Sequence, residues 1–300
     1  MSTSLESLSG ELAGIVEAAA ASVVRVEGRR RSASSGVVWA AEGLIVASHH
    51  AVDSEGEVPV GLHDGRTLPA RVVGRDPGSD LAMLRAEATG LVPPRWAEAK
   101  SPRPGEIVLS LSRPGRSARA RLGIVSAVAG EWRSPSGARF DSYLESDIAL
   151  HPGFSGGPLL AADGAVLGVN SAGLLRGTSM AVPSRVVRHV VEALLAHGRI
   201  RRGYLGIGTQ TIALTPDLRS STGQAAALIV LSVQPGSPAA RAGILLGDVL
   251  LRAGEDVLTN PGALVPALDA DRVGRELRLR LLRAGEGRSV TVVVGEREAA

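Results

Sequence analysis

The residues best suited to chemistry lie in the run HPGFSGGPLL, residues 151–160, where Ser155 stands among three glycines and two prolines. Glycine and proline at this density predict a tight turn that neither a helix nor a strand can occupy. Such a turn can expose a side chain and bring backbone N–H groups close to a ligand, as a nucleophilic serine beside an oxyanion hole requires. The alternative is a glycine-rich surface turn that carries a serine without a role.

A nucleophilic serine needs a general base, and the base needs a carboxylate to orient it. His50 lies near the end of the mostly apolar run GLIVASHHAV, and Asp80 directly precedes another apolar run. Catalytic side chains favour such strand ends and loops, and the order His–Asp–Ser is one of the known orders of the catalytic triad. His49 is the neighbouring candidate for the base, and Asp76, which precedes a proline and more readily begins a turn, is the rival carboxylate.

The elements that must position these residues are predicted to be short strands. From Ser22 to about Gly168, β-branched runs alternate with turn residues at close spacing, without intervening helices. This pattern indicates an all-β barrel or sandwich. A long helical pattern first appears in PSRVVRHVVEALLAHG, which Ser184 could cap and Gly198 could end.

Three parts are predicted along the chain: an N-terminal helical segment (1–21), a β domain (22–198) and a small α+β domain (199–300). The first part has apolar residues at helical spacing, contains Glu6 and Glu11, and does not have the pattern of a secretory signal. No stretch approaches the ~18 apolar residues of a membrane span. The chain as written is therefore expected in the cytoplasm, or in the periplasm or envelope if its N-terminus is incomplete.

Composition narrows the functional classes. The 300 residues include no cysteine, which excludes disulfides, thiolate catalysis and cysteine-based metal sites. The pI of about 10.1 reflects arginine, since Lys100 is the only lysine and the net charge is only +3. Nucleic-acid binding is therefore not expected. Two arginine clusters are interpreted as solvated loops: Arg29–Arg31, and the group Arg113, Arg116, Arg119 and Arg121.

Three motifs resemble the HtrA/DegP family of trypsin-like serine proteases with a C-terminal PDZ domain. GLIVASHHAV is similar to the family's histidine motif, DPGSDLAMLR to its aspartate motif and SDIALHPGFSGGPLL to its serine motif. The likeness runs from about residue 20 to residue 296. It implies a mainly β fold, a trypsin-like double β-barrel of two six-stranded barrels followed by a small α+β PDZ domain. It also implies a serine endopeptidase that cleaves unfolded or damaged proteins, needs no cofactor or metal, and could form a homotrimer.

The resemblance also assigns roles by position. His50 would be the general base, Asp80 would orient it, and Ser155 would attack the peptide carbonyl. The N–H groups of Gly153 and Ser155 would form the oxyanion hole. The chain departs from the family in two places: Phe154 replaces the usual asparagine before the nucleophile, and the loop LSRPGRSARARLG is basic where the family has an uncharged glycine-rich loop. Where the Phe154 ring packs should therefore decide the order of the oxyanion hole.

The specificity pocket is expected within residues 170–182. Its candidate lining residues are small or apolar: Ala172, Leu174, Met180 and Ala181. Because no Asp or Glu occurs from residue 165 through 191, we expect a small aliphatic residue at the cleaved position rather than Lys or Arg.

The motif RRGYLGIG resembles the carboxylate-binding loop of PDZ domains, with Tyr204, Leu205, Gly206 and Ile207 at the matching positions. Backbone N–H groups in such a turn hold a terminal carboxylate while the peptide adds a strand to the sheet edge. C-terminal peptides are the expected partners. Pro266 falls inside the helix that would flank this groove and could kink it.

Two other functions fit part of the sequence. Residues 153–157 match G-x-S-x-G, the nucleophile elbow of α/β-hydrolases, but two glycines and a proline follow Ser155 where that fold requires a helix. The second alternative is a latent or weak protease that acts mainly as a PDZ peptide-binding scaffold or chaperone. Phe154 favours this alternative, whereas the presence of a complete candidate triad argues against it.

Overall fold

The computed structural model describes residues 4–28, 33–52, 56–98, 101–135, 138–175, 177–200 and 203–296. The chain divides into two compact units, Met1–Ile200 and Arg201–Ala300. The predicted arginine cluster Arg29–Arg31 and residues 201 and 202 lie outside the described residues.

Six antiparallel strands of the first unit close into a barrel. They are β1 (Val23–Val26), β2 (Ser34–Ala40), β3 (Leu44–Ser48), β4 (Val58–Gly61), β5 (Thr67–Asp76) and β6 (Leu81–Ala86). The barrel order is β1-β2-β3-β6-β5-β4. β-Branched and leucine side chains, among them Val24, Ile45 and Leu84, fill its interior, as expected for alternating strands with one buried face.

A second barrel and a small hairpin follow. The strands are β7 (Ile107–Ser112), β8 (Arg119–Ala129), β9 (Trp132–Arg133), β10 (Arg139–Phe140), β11 (Tyr143–Ser146), β12 (Pro158–Ala161), β13 (Val166–Ser171) and β14 (Met180–Pro183). The barrel closes in the order β11-β14-β13-β12-β7-β8, while β9 and β10 pair with each other. The prediction of two six-stranded barrels is therefore confirmed. Because Ser155 leads into the strand β12 rather than a helix, the α/β-hydrolase interpretation is wrong.

Two helices pack on the barrels. α1 (Ser4–Ala20) buries Leu12, Ile15 and Val16 against a cluster that includes residues of β7. α2 (Ser184–His197) ends at Gly198, whose φ of 70° is the left-handed conformation expected of a glycine cap. Ser184 does not cap α2 as predicted, because its hydroxyl donates to the Ala97 carbonyl instead. Within the described ranges, no helix has the length and apolar character needed to cross a bilayer.

The second unit is a mixed α+β domain. Its strands are β15 (Gly203–Tyr204), β16 (Ile207–Ala213), β17 (Ala226–Val233), β18 (Val249–Ala253), β19 (Asp256–Val257), β20 (Glu276–Arg283), β21 (Glu286–Val293) and β22 (Gly295–Glu296). The sheet order β16-β17-β18-β20-β21 leaves β16 at an edge. The helices are α3 (Pro216–Thr222) and α4 (Pro238–Arg241).

The predicted helix that contains Pro266 differs in type from the expectation. It is a 3-10 helix, Pro261–Leu268, with Pro266 inside it. Proline lacks the N–H that an α-helix needs at that position, and short 3-10 segments tolerate this loss better. Leu264 and Ala267 of this segment are buried in the core of the unit.

Candidate active site

His50 and Asp80 meet at the end of the first barrel. β3 ends at Ser48, and the 3-10 turn His49–Ala51 presents His50. The His50 Nδ1 atom lies 2.7 Å from Oδ2 and 2.9 Å from Oδ1 of Asp80, and the His50 backbone N–H donates to Oδ1 at 2.9 Å. The Asp80 side chain is only 5% exposed. One carboxylate therefore fixes both the ring and the backbone of the histidine.

Further contacts hold the Asp80 carboxylate in place. Asp80 adopts a left-handed φ of 57°, and its carbonyl accepts the His49 N–H at 2.9 Å. Ser171 donates its hydroxyl to Oδ2, and Ser171 in turn accepts the Leu174 N–H at 3.0 Å. The sequence reasoning missed Ser171. Its only signal was a hydroxyl at the end of the apolar strand β13.

Asp76 and His49, the rival candidates for the carboxylate and the base, do not pair with each other. The Asp76 carboxylate accepts the N–H groups of Gly78 and Ser79 at 3.1 and 3.0 Å, which makes it part of a turn as expected. Burial lowers the pKa of His49 below its ordinary value, against a smaller opposing effect of the Asp80 charge. The His49 Nδ1 atom is buried and has no hydrogen-bond partner in the described part of the chain. The geometry thus pairs Asp80 with His50 rather than His49.

Ser155 is 7% exposed and contacts the segment at the end of β13 that also touches His50 and Asp80. Its Oγ accepts the Ala172 N–H at 3.2 Å. In the described residues, no hydrogen bond joins this oxygen to the His50 ring; in free enzymes such catalytic bonds are often long and tighten with substrate. Gly173 lies against the same ring, since a Cβ on Gly173 would be 2.6 Å from His50 Nδ1. Only a glycine fits at this point without moving the ring.

The backbone around Ser155 includes two N–H groups that have no partner among the described residues. Gly153 has a φ of 96°, and the Phe154 N–H donates across the turn to the His151 carbonyl at 3.1 Å. The Gly157 N–H donates to the Phe154 carbonyl at 3.1 Å. Neither the Gly153 N–H nor the Ser155 N–H donates to any other described residue. Both are therefore available to stabilise the negative charge that develops on a carbonyl oxygen under attack.

Two serines of the first barrel hold the turn from outside. The Ser155 carbonyl accepts the Ser34 hydroxyl at 2.6 Å and the Ser35 N–H at 3.0 Å. The Ser35 hydroxyl donates to the Gly153 carbonyl at 2.7 Å and accepts the Arg113 N–H at 2.7 Å. The sequence reasoning missed both serines, because they belong to the opposite barrel.

Arg113 is buried, so the interpretation of its loop as solvated is wrong for this residue. The residue is 4% exposed, and its guanidinium donates to the carbonyls of Val23, Ala20 and Arg116 at 2.7, 2.8 and 2.6 Å. A buried guanidinium is tolerated when its donors are satisfied in this way. Arg113 therefore ties the start of the first barrel to the β7–β8 loop.

Phe154 is also buried, at 3% exposure. The Arg121 guanidinium carbon lies 5.5 Å from the centroid of its ring, within the range of a cation–π contact. The loop residue Pro114 lies against Gly153, where an added Cβ would be 2.7 Å from the proline Cβ. The two departures from the family pattern, Phe154 and the basic loop, thus contact each other.

The predicted specificity pocket is largely buried in this structure. Ala172 is exposed, whereas Leu174 and Met180 belong to a core cluster that also contains Phe140. Ala181 is fully buried in the neighbouring cluster of the second barrel. The assignment of these four residues to a pocket stays a prediction.

The predicted carboxylate-binding loop lies between β15 and β16. Gly206 has a φ of 79°, and its carbonyl accepts the Gln234 N–H at 2.8 Å. The Leu205 carbonyl accepts the Ala239 N–H at 2.9 Å. The N–H groups of Leu205 and Gly206 donate to no other residue in the described part of this unit. Tyr204 hydrogen-bonds Gln234, and Ile207 begins the edge strand β16.

Comparison with known protein families agrees with this architecture. The model of the trypsin-like peptidase domain matches residues 34–169, and that of the PDZ domain matches residues 203–294. A double barrel of this kind, with a His–Asp pair beside a serine in a glycine-rich turn, defines a trypsin-like serine protease fold, here joined to a PDZ domain. Similarity to individual proteins makes the assignment more specific.

The chain is 30% identical to an HtrA-type protease, AlgW, solved with a tripeptide. The match has a TM-score of 0.73 and covers 96% of this chain and 98% of that one. It is 29% identical to a serine endoprotease from Yersinia pestis, with a TM-score of 0.75, covering 95% of this chain and 97% of that one. The chain therefore belongs to the HtrA family of serine proteases, and the resemblance drawn from its motifs is confirmed.

Longer relatives are similar as well. A probable periplasmic DegP-like serine endoprotease from Halomonas elongata is 33% identical over 275 residues, which cover 89% of this chain and 57% of the relative. A protein of the same description from Marinomonas is 31% identical over a match that covers 90% of this chain and 58% of the relative. The chain thus spans a little over half the length of these relatives. Because they are named as periplasmic proteins, the expectation of a cytoplasmic location is wrong.

Proposed function

We propose that this chain is a serine endopeptidase that works through an acyl-enzyme. The observation that carries the proposal is the His50–Asp80 pair near the turn of Ser155. Two N–H groups of that turn have no partner among the residues that the structure describes. In this proposal Ser155 is the nucleophile, His50 the general base and Asp80 the group that orients it. The Gly153 and Ser155 N–H groups form the oxyanion hole.

The proposed reaction runs in two halves. Ser155 Oγ attacks the peptide carbonyl while His50 Nε2 accepts its proton, and the Asp80 carboxylate stabilises the imidazolium that forms. The imidazolium then gives the proton to the leaving amine. A water molecule, deprotonated by His50, attacks the acyl-enzyme and releases the second product.

One rearrangement must precede the attack. Ser155 Oγ accepts the Ala172 N–H and has no hydrogen bond to His50 among the described residues, so the side chain must rotate until its hydroxyl donates to His50. Ala172 and Gly173 follow directly after β13. Strand-like pairing of a substrate with this segment would engage the Ala172 N–H and release the serine.

Substrate preference follows from the proposed pocket and the second unit. We propose unfolded proteins as substrates and a small aliphatic residue at the cleaved position. The N–H groups of Leu205 and Gly206 have no partner in the described part of the second unit and lie beside the edge strand β16. They support capture of peptide C-termini by strand addition. The similar HtrA-type protease AlgW was solved both with a tripeptide and with a decapeptide. The homotrimer stays a prediction that light scattering after size-exclusion chromatography can test.

The deciding experiment compares the wild-type chain with Ser155→Ala. Wild type should cleave unfolded casein and take up a fluorophosphonate label, and the variant should do neither. Labelling with and without a peptide bearing a free C-terminus also tests control by the second unit. Equal casein cleavage by both proteins would overturn the assignment of Ser155.

A latent protease that acts mainly as a peptide-binding scaffold is the second candidate. The lack of a hydrogen bond between Ser155 Oγ and His50 among the described residues favours it. The names of the relatives favour the protease. Absence of labelling both with and without peptide, together with retained peptide binding, would support the scaffold.

A further inference from the structure

We propose that Arg121 is a positioning residue that holds the nucleophile turn in its oxyanion-binding form through the face of the Phe154 ring. This inference rests on the proposed protease function and assigns a specific role to the basic loop. Arg121 lies on β8 and has its guanidinium carbon 5.5 Å from the ring centroid.

The position of Phe154 in the turn gives the contact its importance. Phe154 stands between Gly153 and Ser155, whose N–H groups are the two candidate oxyanion donors. Its carbonyl shares a peptide unit with the Ser155 N–H, and this carbonyl accepts the Gly157 N–H at 3.1 Å. Rotation about the backbone bonds of Phe154 would therefore swing a donor out of place. Fixing the ring restrains that rotation.

The Arg121 guanidinium lies over the ring and can supply such a restraint. Phe154 is 3% exposed and Arg121 is half-buried, so the cation–π contact between them is partly desolvated and stronger than one between two exposed groups. The usual asparagine of the family would hold this turn through amide hydrogen bonds, which phenylalanine cannot make. The contact with Arg121 of β8 compensates for the loss of those hydrogen bonds.

Arg119 offers a matched control. It lies two residues before Arg121 on the same strand, and consecutive odd residues of a strand share a face. Its side chain is exposed, and the ring contact is made by Arg121. Arg119→Gln therefore removes the same charge from the same face without removing the restraint.

The first measurement is the rate of Ser155 labelling by a small, uncharged fluorophosphonate, with kcat and KM for an uncharged peptide. Arg121→Gln should lower the labelling rate and kcat about three- to tenfold with KM unchanged. Arg121→Lys should recover much of the loss, and Arg119→Gln should match wild type. In a Phe154→Leu background, which keeps an apolar side chain but no ring, Arg121→Gln should have no further effect.

The second measurement does not depend on activity. Hydrogen exchange of residues 152–157 reports on the bonded N–H groups of Phe154, Gly156 and Gly157. Exchange should be faster in Arg121→Gln and unchanged in Arg119→Gln. Equal effects of the two substitutions, or an undiminished effect of Arg121→Gln in the Phe154→Leu background, would overturn the proposal. Failure of wild type to label would instead count against the protease function, and the exchange data would still decide the role of Arg121.

Discussion

Ser171 donates its hydroxyl to Oδ2 of Asp80, the same oxygen that lies 2.7 Å from His50 Nδ1. Loss of a hydrogen bond to a charged group costs roughly 1.5–3 kcal/mol. We therefore expect Ser171→Ala to lower kcat about tenfold or more, because the carboxylate loses a fixed partner. Ser171→Thr keeps the hydroxyl and should recover much of the activity. Peptide hydrolysis that is unchanged in Ser171→Ala would contradict this role.

Gly173 should tolerate no side chain. A Cβ there would lie 2.6 Å from His50 Nδ1, so Gly173→Ala must push the ring away from Asp80. Displacements of about 1 Å can cost about 100-fold in rate, and we expect a loss of kcat/KM of that order. Gly130→Ala is the control, since a Cβ at that position meets nothing within 4 Å. Similar rates for the two variants would show that the ring can move without penalty.

Peptide binding by the second unit should depend on Gly206. Its φ is 79°, and an added Cβ would lie 2.7 Å from Ser237 Oγ. Gly206→Ala should therefore distort the loop and weaken binding of a peptide with a free C-terminus at least tenfold, as measured by fluorescence anisotropy. An amidated peptide and the variant Gly287→Ala, which has open space around it, serve as controls. Wild-type affinity in Gly206→Ala would place the carboxylate elsewhere.

Asp248 should make the second unit sensitive to acid. Burial alone would raise its pKa, but hydrogen bonds from Arg283 at 2.8 Å and the Leu245 N–H at 2.9 Å hold the pKa below its usual value. A depressed folded-state pKa gives stability that is complete above the unfolded pKa of about 3.9 and is lost as the pH falls through the folded value.

The test is calorimetry of the full chain between pH 3 and pH 7. Asp248→Asn should have a melting temperature roughly 5 °C lower at pH 7, and its deficit relative to wild type should shrink as the pH falls below about 4. A deficit that stays constant across this range would mean that the carboxylate charge contributes nothing.

The sequence predicts the elements that local pattern controls. Alternating β-branched runs predicted an all-β barrel or sandwich, and the family resemblance specified the two six-stranded barrels that the structure contains. The motifs also predicted the contact between His50 and Asp80. Gly198 ends α2 as expected. These features depend on neighbours within a few residues or on motifs with fixed spacing, so a single sequence contains them.

Contacts between distant segments could not be read in the same way. Ser34 and Ser35 meet the nucleophile turn across separations of 121 and 118 residues, and no local pattern marks either one. Arg113 has the charge and surroundings of a solvated loop residue, yet three backbone carbonyls accept from its guanidinium and allow it to be buried. The contact between Phe154 and Arg121 of β8 likewise joins segments that are distant in the sequence.

The hydrogen bonds from Ser34 and Ser35 to the turn at Ser155 also determine at which stage of folding the proposed active site forms. The serines belong to one barrel and the turn to the other, so a half-folded chain has a serine but no ordered oxyanion hole. Contacts of such long sequence separation form late in folding, because closing the loop between them costs entropy. A newly synthesised chain would therefore gain the proposed proteolytic activity only after its two barrels had packed together.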